Sequence, residues 1–191
     1  MPDETPQPQA TPTSGSAGDT RIEIPARAMV VLIGAAGSGK STFARKHFRP
    51  SQILSSDGFR EMLSDNYRDQ SVSRKAFDLI YDILEFRLWR GRLTVVDATN
   101  VRGAARREAL KIAKRVGVPA VAIVFRTPVE VCLRQNAERG GEPVPDDIIQ
   151  TQWEDLAGSL AALHEAGFER VYFFKGPNEA AAAAVEMLPA G

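Results

Sequence analysis

Gly34-Ala35-Ala36-Gly37-Ser38-Gly39-Lys40-Ser41 limits what this chain can fold into more than any other stretch. It follows the apolar run Ala28 to Ile33 and matches G-x-x-x-x-G-K-[ST] in full, the pattern of a loop that joins a strand to a helix and wraps a polyphosphate. Gly34, Gly37 and Gly39 let the backbone turn tightly, so the N–H groups of Ser38, Lys40, Ser41 and Thr42 converge on the anion. Lys40 is placed to reach the β- and γ-phosphates and Ser41 to offer a hydroxyl to Mg²⁺. A helix from about Ser41 aims its positive end at the same point. ATP and magnesium are therefore the expected ligands.

Behind this loop the chain alternates apolar runs with helical periods. Ile53 and Leu54 open a second strand that stops at Ser55-Ser56-Asp57, with a short helix from near Gly58. Phe77, Ile80, Leu84 and Leu88 recur at helical spacing up to Gly91, and Leu93 to Val96 is a third strand running into Asp97-Ala98-Thr99-Asn100. Gly103 to Val116 reads as a helix carrying Arg106, Arg107, Lys111, Lys114 and Arg115, four of which crowd its surface and suit a solvated face. Ala120 to Phe125 is a fourth strand, followed by a helix after Pro128 with Val129, Cys132 and Leu133 inward. Further expectations are a helix from Asp146 to about Ala166, a fifth strand Val171 to Phe174 and a last Ala-rich helix Glu179 to Leu188. Unbroken apolar strands alternating with helices imply an α/β fold with a parallel sheet, whose ligands sit at the strands' C-terminal edge.

Residues 1–20 contain no aromatic or branched aliphatic residue after Met1 and are rich in Pro, Thr and Ser, so a disordered tail is expected, with a single domain over 21–191. The 24 basic residues equal the 24 acidic ones, which excludes a strong global attraction to duplex nucleic acid or an anionic membrane. One cysteine allows neither an internal disulfide nor a Cys₄ zinc site, and Cys132 reads as a buried thiol. No stretch approaches the ~20 apolar residues of a membrane span, and the N-terminus is acidic and Pro-rich where a signal peptide is basic and then apolar. A cytoplasmic protein without membrane contact is expected.

Phosphoryl transfer needs an acceptor in line, a group to take its proton and cations around the transferred phosphoryl. Asp57, on the P-loop side of the sheet, could accept the proton of an alcohol, or could cap the helix that follows. Arg60 lies one helical turn on and suits a phosphate on the acceptor, with surface charge as the alternative. Asp97 stands where a carboxylate holds water on Mg²⁺ or fixes the loop. Thr99 and Asn100 could donate to an acceptor phosphate, or Asn100 could cap the next helix. Arg139 precedes Gly140-Gly141-Glu142-Pro143-Val144-Pro145, a segment mixing hinge and stiff residues as a mobile lid does, and could close on the ATP phosphates. His47 and His164 have no partners at ligand spacing.

At these residues the chain resembles the P-loop 5′-OH polynucleotide kinases, in particular the kinase module of bacterial RNA-repair enzymes that couple kinase, phosphatase and ligase units. The likeness runs through Gly37 to Ala44, Lys46-His47-Phe48, Ile53 to Asp57 with Arg60, Asp69-Gln70, Leu93 to Val101 and Ala122 to Phe125, within a span of about 28 to 188. The resemblance implies five parallel strands in the order 2-3-1-4-5, with a lid. It also implies a 5′-OH end of RNA or DNA as acceptor, Asp57 as general base, Arg60 on the phosphate beside the hydroxyl, and Arg139 as lid arginine. Where close relatives carry Arg-Asn-x-x-Arg, this chain has Gln135-Asn136-Ala137-Glu138-Arg139, so the adenine contact of the first arginine is not carried over. Phosphatase and ligase units are absent from this sequence, which implies a free-standing kinase or a subunit whose partners are separate chains. The alternatives are a P-loop kinase of a small-molecule alcohol, such as a sugar acid or sugar nucleotide, and a non-catalytic nucleotide-binding module.

Overall fold

Strand Met29–Ile33 (β2) is fully buried because its neighbours press on both faces, as an apolar run without alternation requires. The computed structural model describes residues 21–140 and 142–189; the tail expected over residues 1–20 lies outside them. Before β2 comes Arg21–Pro25 (β1), and after it Lys40–His47 (α1), Ile53–Ser55 (β3), Ser56–Ser64 (α2), Ser73–Trp89 (α3), Thr94–Asp97 (β4) and Gly103–Val116 (α4). Ala120–Phe125 (β5), Val129–Glu138 (α5), Asp146–Ser159 (α6), Arg170–Phe174 (β6), Pro177–Ala182 (α7) and Ala184–Leu188 (β7) complete the order.

The main sheet is parallel throughout, in the order β3-β4-β2-β5-β6. Counted from β2, this is the expected 2-3-1-4-5 arrangement; the labels shift by one because β1 precedes it and pairs elsewhere. Side chains alternate across β2. Met29, Val31 and Ile33 face Ile80, Leu84 and Leu88 of α3 and Ile112 of α4, while Val30 and Leu32 face Phe43 of α1, Phe125 and Phe174. Phe43, Phe125 and Phe174 pack as a trio with ring centroids 5.4–5.6 Å apart. The two-layer burial fixes β2 at the centre of the sheet and so fixes the loop that leaves its C-terminal end.

Several expectations are corrected. The helix expected over Glu179 to Leu188 stops at Ala182, and Ala184–Leu188 pairs in parallel with β1, with Ile22 and Ile24 buried beneath. Tertiary pairing overrides the helix preference of the alanines. The helix from Asp146 ends at Ser159, short of Ala166. Asp57 does not end the second strand; it sits in the first turn of α2, which begins at Ser56. Four of the five basic residues of α4 are exposed as expected, and Arg106 is the one that is not. It is 2 % exposed, with Nη1 donating to the carbonyls of Asn100 and Val101 at 2.8 Å each, so it closes the start of α4 against the loop after β4. Cys132 is buried, and burial pushes its thiol up to about 11, a pKa that leaves it protonated and inert. Among the described residues no helix is long and apolar enough to cross a membrane.

Candidate active site

The loop from Gly34 to Ser41 links the C-terminal end of β2 to α1 and is held from three sides. Gly34 N–H donates to the Thr99 carbonyl at 2.9 Å, the Thr127 hydroxyl donates to the Ser38 carbonyl at 3.0 Å, and Ala36 N–H donates to Gln152 Oε1 at 2.8 Å. Gly37 and Gly39 take φ of 75° and 98°, left-handed conformations that glycine adopts without Cβ strain. A Cβ on Gly37 would lie 2.2 Å from the Cys132 carbonyl oxygen, whereas one on Gly39 would meet nothing within 4 Å. The loop is thus pressed against α5 on one side and open on the other.

Into that opening runs Lys40, 7 % exposed, whose Nζ donates to the Ala35 carbonyl at 2.7 Å and the Ser38 hydroxyl at 3.2 Å. Burial lowers its pKa, with Asp97 the foremost opposing charge. Asp97 ends β4 at 6 % exposure. Burial raises its pKa, while Lys40 and then the Ser41 hydroxyl draw it down. Burial thus disfavours the charged form of each group, and each offsets part of that effect on the other.

Asp57 stands on the other bank. The cap of α2 is Ser55, whose Oγ accepts from Gly58 N–H at 3.4 Å, so the Asp57 carboxylate is free of capping. Arg60 Nη2 donates to Asp57 Oδ1 at 2.5 Å and Arg60 Nε to the Tyr67 carbonyl at 2.6 Å. Arg139 Nη2 lies 3.6 Å from Asp57 Oδ2, and its guanidinium is 5.9 Å from the Tyr67 ring centroid. Asp57, Gly58, Glu61, Tyr67, Arg139 and Gly140 line a cavity of about 430 Å³. The structure therefore brings Asp57, Arg60 and Arg139 together, and Lys40, Ser41 and Asp97 together at the loop. Thr42 is exposed in the first turn of α1, and the Thr99 backbone holds Gly34.

Asn100 is placed differently. It adopts φ of 49° and its amide donates to the Leu32 carbonyl at 2.9 Å and to Ala98 at 3.3 Å, at 4 % exposure. The expected acceptor contact is corrected to a bracket: one amide bond ties the loop after β4 to Leu32 of the P-loop strand, and the other closes that loop on its own Ala98 carbonyl. Four further residues had no signal in the spacing. Gln152 of α6 reaches Ala36 across 116 positions, and Thr127 reaches Ser38 across 89. Asn136 of α5 grips both the N–H and the carbonyl of Val144, at 3.1 and 2.8 Å, which fixes the Pro-rich segment entering α6. The Tyr67 ring has two guanidinium groups near it, those of Arg68 at 4.8 Å and Arg139 at 5.9 Å from its centroid.

The residues fit a magnesium nucleotide. The left-handed glycine cradle leaves open space at Gly39 in which a phosphate chain would fit. Ser41 and Asp97 offer one hydroxyl and one carboxylate, the sparse oxygen set that suits Mg²⁺ shared with phosphates. Among the described residues no cluster of three His, Cys, Asp or Glu suggests a separate all-protein metal site.

Residues 29–163, more than two thirds of the chain, match the AAA-domain family. An L-seryl-tRNA(Sec) kinase of Methanococcus maripaludis is 27% identical over 136 residues, 66% of this chain and 51% of that protein. The chain spans about half the length of that relative. Among solved structures, the Pnkp1/Rnl/Hen1 RNA repair complex contains a chain matching at TM-score 0.63 and 23% identity, covering 71% of this chain and 46% of that one. The AvrRxo1-ORF1:ORF2 complex with ATP matches at TM-score 0.57 and 17% identity, covering 72% and 49%. At these identities the solved structures establish a shared fold, and the family match adds the phosphate loop and everything from β2 to the end of α6. The chain belongs to the AAA-domain family and has the fold of the P-loop kinases.

Proposed function

We propose that this protein is an ATP- and Mg²⁺-dependent kinase that phosphorylates the 5′-OH end of RNA or DNA, with Asp57 as general base. The observation that carries the reading is the Asp57 carboxylate: clear of capping, gripped on Oδ1 by Arg60, and turned through Oδ2 toward Arg139 and the cavity. A bound magnesium nucleotide supplies the transferable phosphoryl group. Lys40 and the loop N–H groups hold the charge of its phosphates, and Ser41 with Asp97 would hold the metal. Arg60 fixes one carboxylate oxygen so that the other meets the acceptor hydroxyl. As the acceptor oxygen bonds to the γ-phosphorus, the bond from that phosphorus to the β–γ bridging oxygen breaks, ADP departs as the leaving group, and the acceptor's proton passes to Asp57 Oδ2. Arg139, between the cavity and the segment after α5, is the cation able to follow charge onto the phosphoryl oxygens and to keep water out as that segment closes. Two of the five N–H groups of Arg60 are used on Asp57 and Tyr67, leaving the rest for a phosphate next to the hydroxyl.

That same commitment favours a second reading, a P-loop kinase of a small-molecule alcohol, in which Arg60 serves only to orient Asp57. The seryl-tRNA kinase relative, named for a seryl group on tRNA, falls between the two. The test is γ-labelled ATP with 5′-OH RNA, 5′-OH DNA and a panel of sugar alcohols, with Lys40→Ala as the inactive control. Label on oligonucleotide ends supports the first reading; label on a sugar alone overturns it in favour of the second; no transfer by folded protein overturns both. Arg60→Ala separates them further. It raises KM for an oligonucleotide sharply if the guanidinium binds phosphate, and lowers kcat with little change in KM if it only positions Asp57.

A further inference from the structure

Helix α3 buries Ala76, Ile80, Leu84 and Leu88 and turns away from them a face holding Asp82, Ile83, Phe86 and Trp89, continued by Arg90 at its C-terminal cap, all exposed. Phe86 and Trp89 are 63% and 68% exposed, with ring centroids 6.4 Å apart, and Ile83 is 38% exposed. At about 100° per residue these five fall within roughly 120° of arc centred on Phe86. Asp82 and Arg90 lie about 40° to either side of it, and Trp89 and Ile83 about 60°. Among the described residues neither Asp82 nor Arg90 has an ion-pair partner. None of the five belongs to the site above.

The order of charge along this face selects its occupant. We infer that α3 pairs antiparallel with α3 of a second copy of this chain, about a twofold axis at Phe86. In that arrangement residues equally far before and after Phe86 share an axial level, at about 1.5 Å per residue. Asp82 comes level with Arg90 of the second copy and Ile83 with Trp89, while the two Phe86 rings meet at the axis. The contact is isologous, so every pair occurs twice. A parallel pairing would set acid against acid and base against base, whereas the antiparallel one sets each acid level with a base. The aromatic centre with a charged rim has the anatomy of a specific interface. It supplies only part of the ~800 Å² per partner of a standard contact, so the dimer is weak and concentration-dependent.

Sedimentation equilibrium of the full 191-residue chain in low salt tests this. The wild type is expected to pass from monomer to dimer with rising concentration. Asp82→Arg and Arg90→Asp should each raise the dissociation constant at least about tenfold, because each places like charges at one level. An equimolar mixture of the two variants should recover dimers, since every cross-pair then joins Arg to Asp, and the double variant D82R/R90D should recover them alone. Circular dichroism melts, expected to be unchanged at these exposed positions, show that each variant is folded. A wild type that stays monomeric to the highest soluble concentration overturns the pairing. So does a dimer indifferent to the two reversals, or a mixture that fails to recover.

Discussion

Gly37→Ala and Gly39→Ala change neighbouring glycines of one loop, yet the geometry separates their effects. Both residues have positive φ, 75° and 98°, which costs an alanine about 1–2 kcal/mol. At Gly37 the new Cβ would also lie 2.2 Å from the Cys132 carbonyl oxygen, part of the backbone of α5, so loop or helix must shift by roughly an ångström. Overpacking of that kind adds about 1–3 kcal/mol, giving about 2–5 kcal/mol in total. At Gly39 nothing stands within 4 Å and only the strain remains. For a domain of this size each kcal/mol moves Tm by about 2–4 °C, so Gly37→Ala should lose about 10 °C and Gly39→Ala about 5 °C. Nucleotide affinity should follow the opposite order, because the Gly39 methyl enters the space left for phosphate while the Gly37 methyl points into α5. Differential scanning calorimetry and titration with a fluorescent ATP analogue measure the two. Equal Tm losses, or the larger loss at Gly39, would refute the packing of the P-loop on α5.

Asp57→Asn should lower kcat by about 10²- to 10⁴-fold with little effect on ATP affinity, and single-turnover kinetics showing a near-normal rate would remove Asp57 as the base. Asn100→Ala loses the donor to the Leu32 carbonyl and replaces a residue that tolerates φ of 49° with one that does so less well; urea melts should show about 1–3 kcal/mol of destabilisation, and a loss below about 0.5 kcal/mol would return Asn100 to a ligand-contacting role. His47 packs on Phe43 with ring centroids 4.5 Å apart, and burial, then Lys46, lowers its pKa from 6.5. The folded state therefore disfavours the imidazolium: the contribution is full above pH 6.5 and is lost as pH falls from there through the lowered value. His47→Phe should flatten that slope between about pH 7.5 and pH 5.5, and an unchanged slope would place the acid sensitivity elsewhere.

Elements whose burial is set by their own residues were legible in advance. Ala120–Phe125 and Gly103–Val116 have the bounds their apolar runs and periodicity predict, and the P-loop lies between strand and helix as its motif requires. Arg106 was readable too: it precedes Ala109 and Ala113 by three and seven residues, on the buried face of α4, and the density of positive charge nearby obscured that phase. What distant parts of the chain decide was not legible. Ala184–Leu188 is a strand only because β1 lies beside it. Gln152 and Thr127 acquire their partners from the fold and not from any local pattern.

The pairing of β1 with β7 also has a mechanical side. The strands run parallel, with Arg21 level with Ala184 and Pro25 with Leu188, and Arg21 and Glu186 add an ion pair. Tension between Arg21 and Leu188 pulls the two strands along their length in opposite directions, so the ladder is loaded in shear and its bonds must yield together rather than peel one at a time. Only residues 26–28 separate β1 from β2, whose far end becomes the phosphate loop. The clasp is therefore a strain relief: a tether pulling on either end of the described chain meets it before the force reaches the strand that shapes the nucleotide cradle.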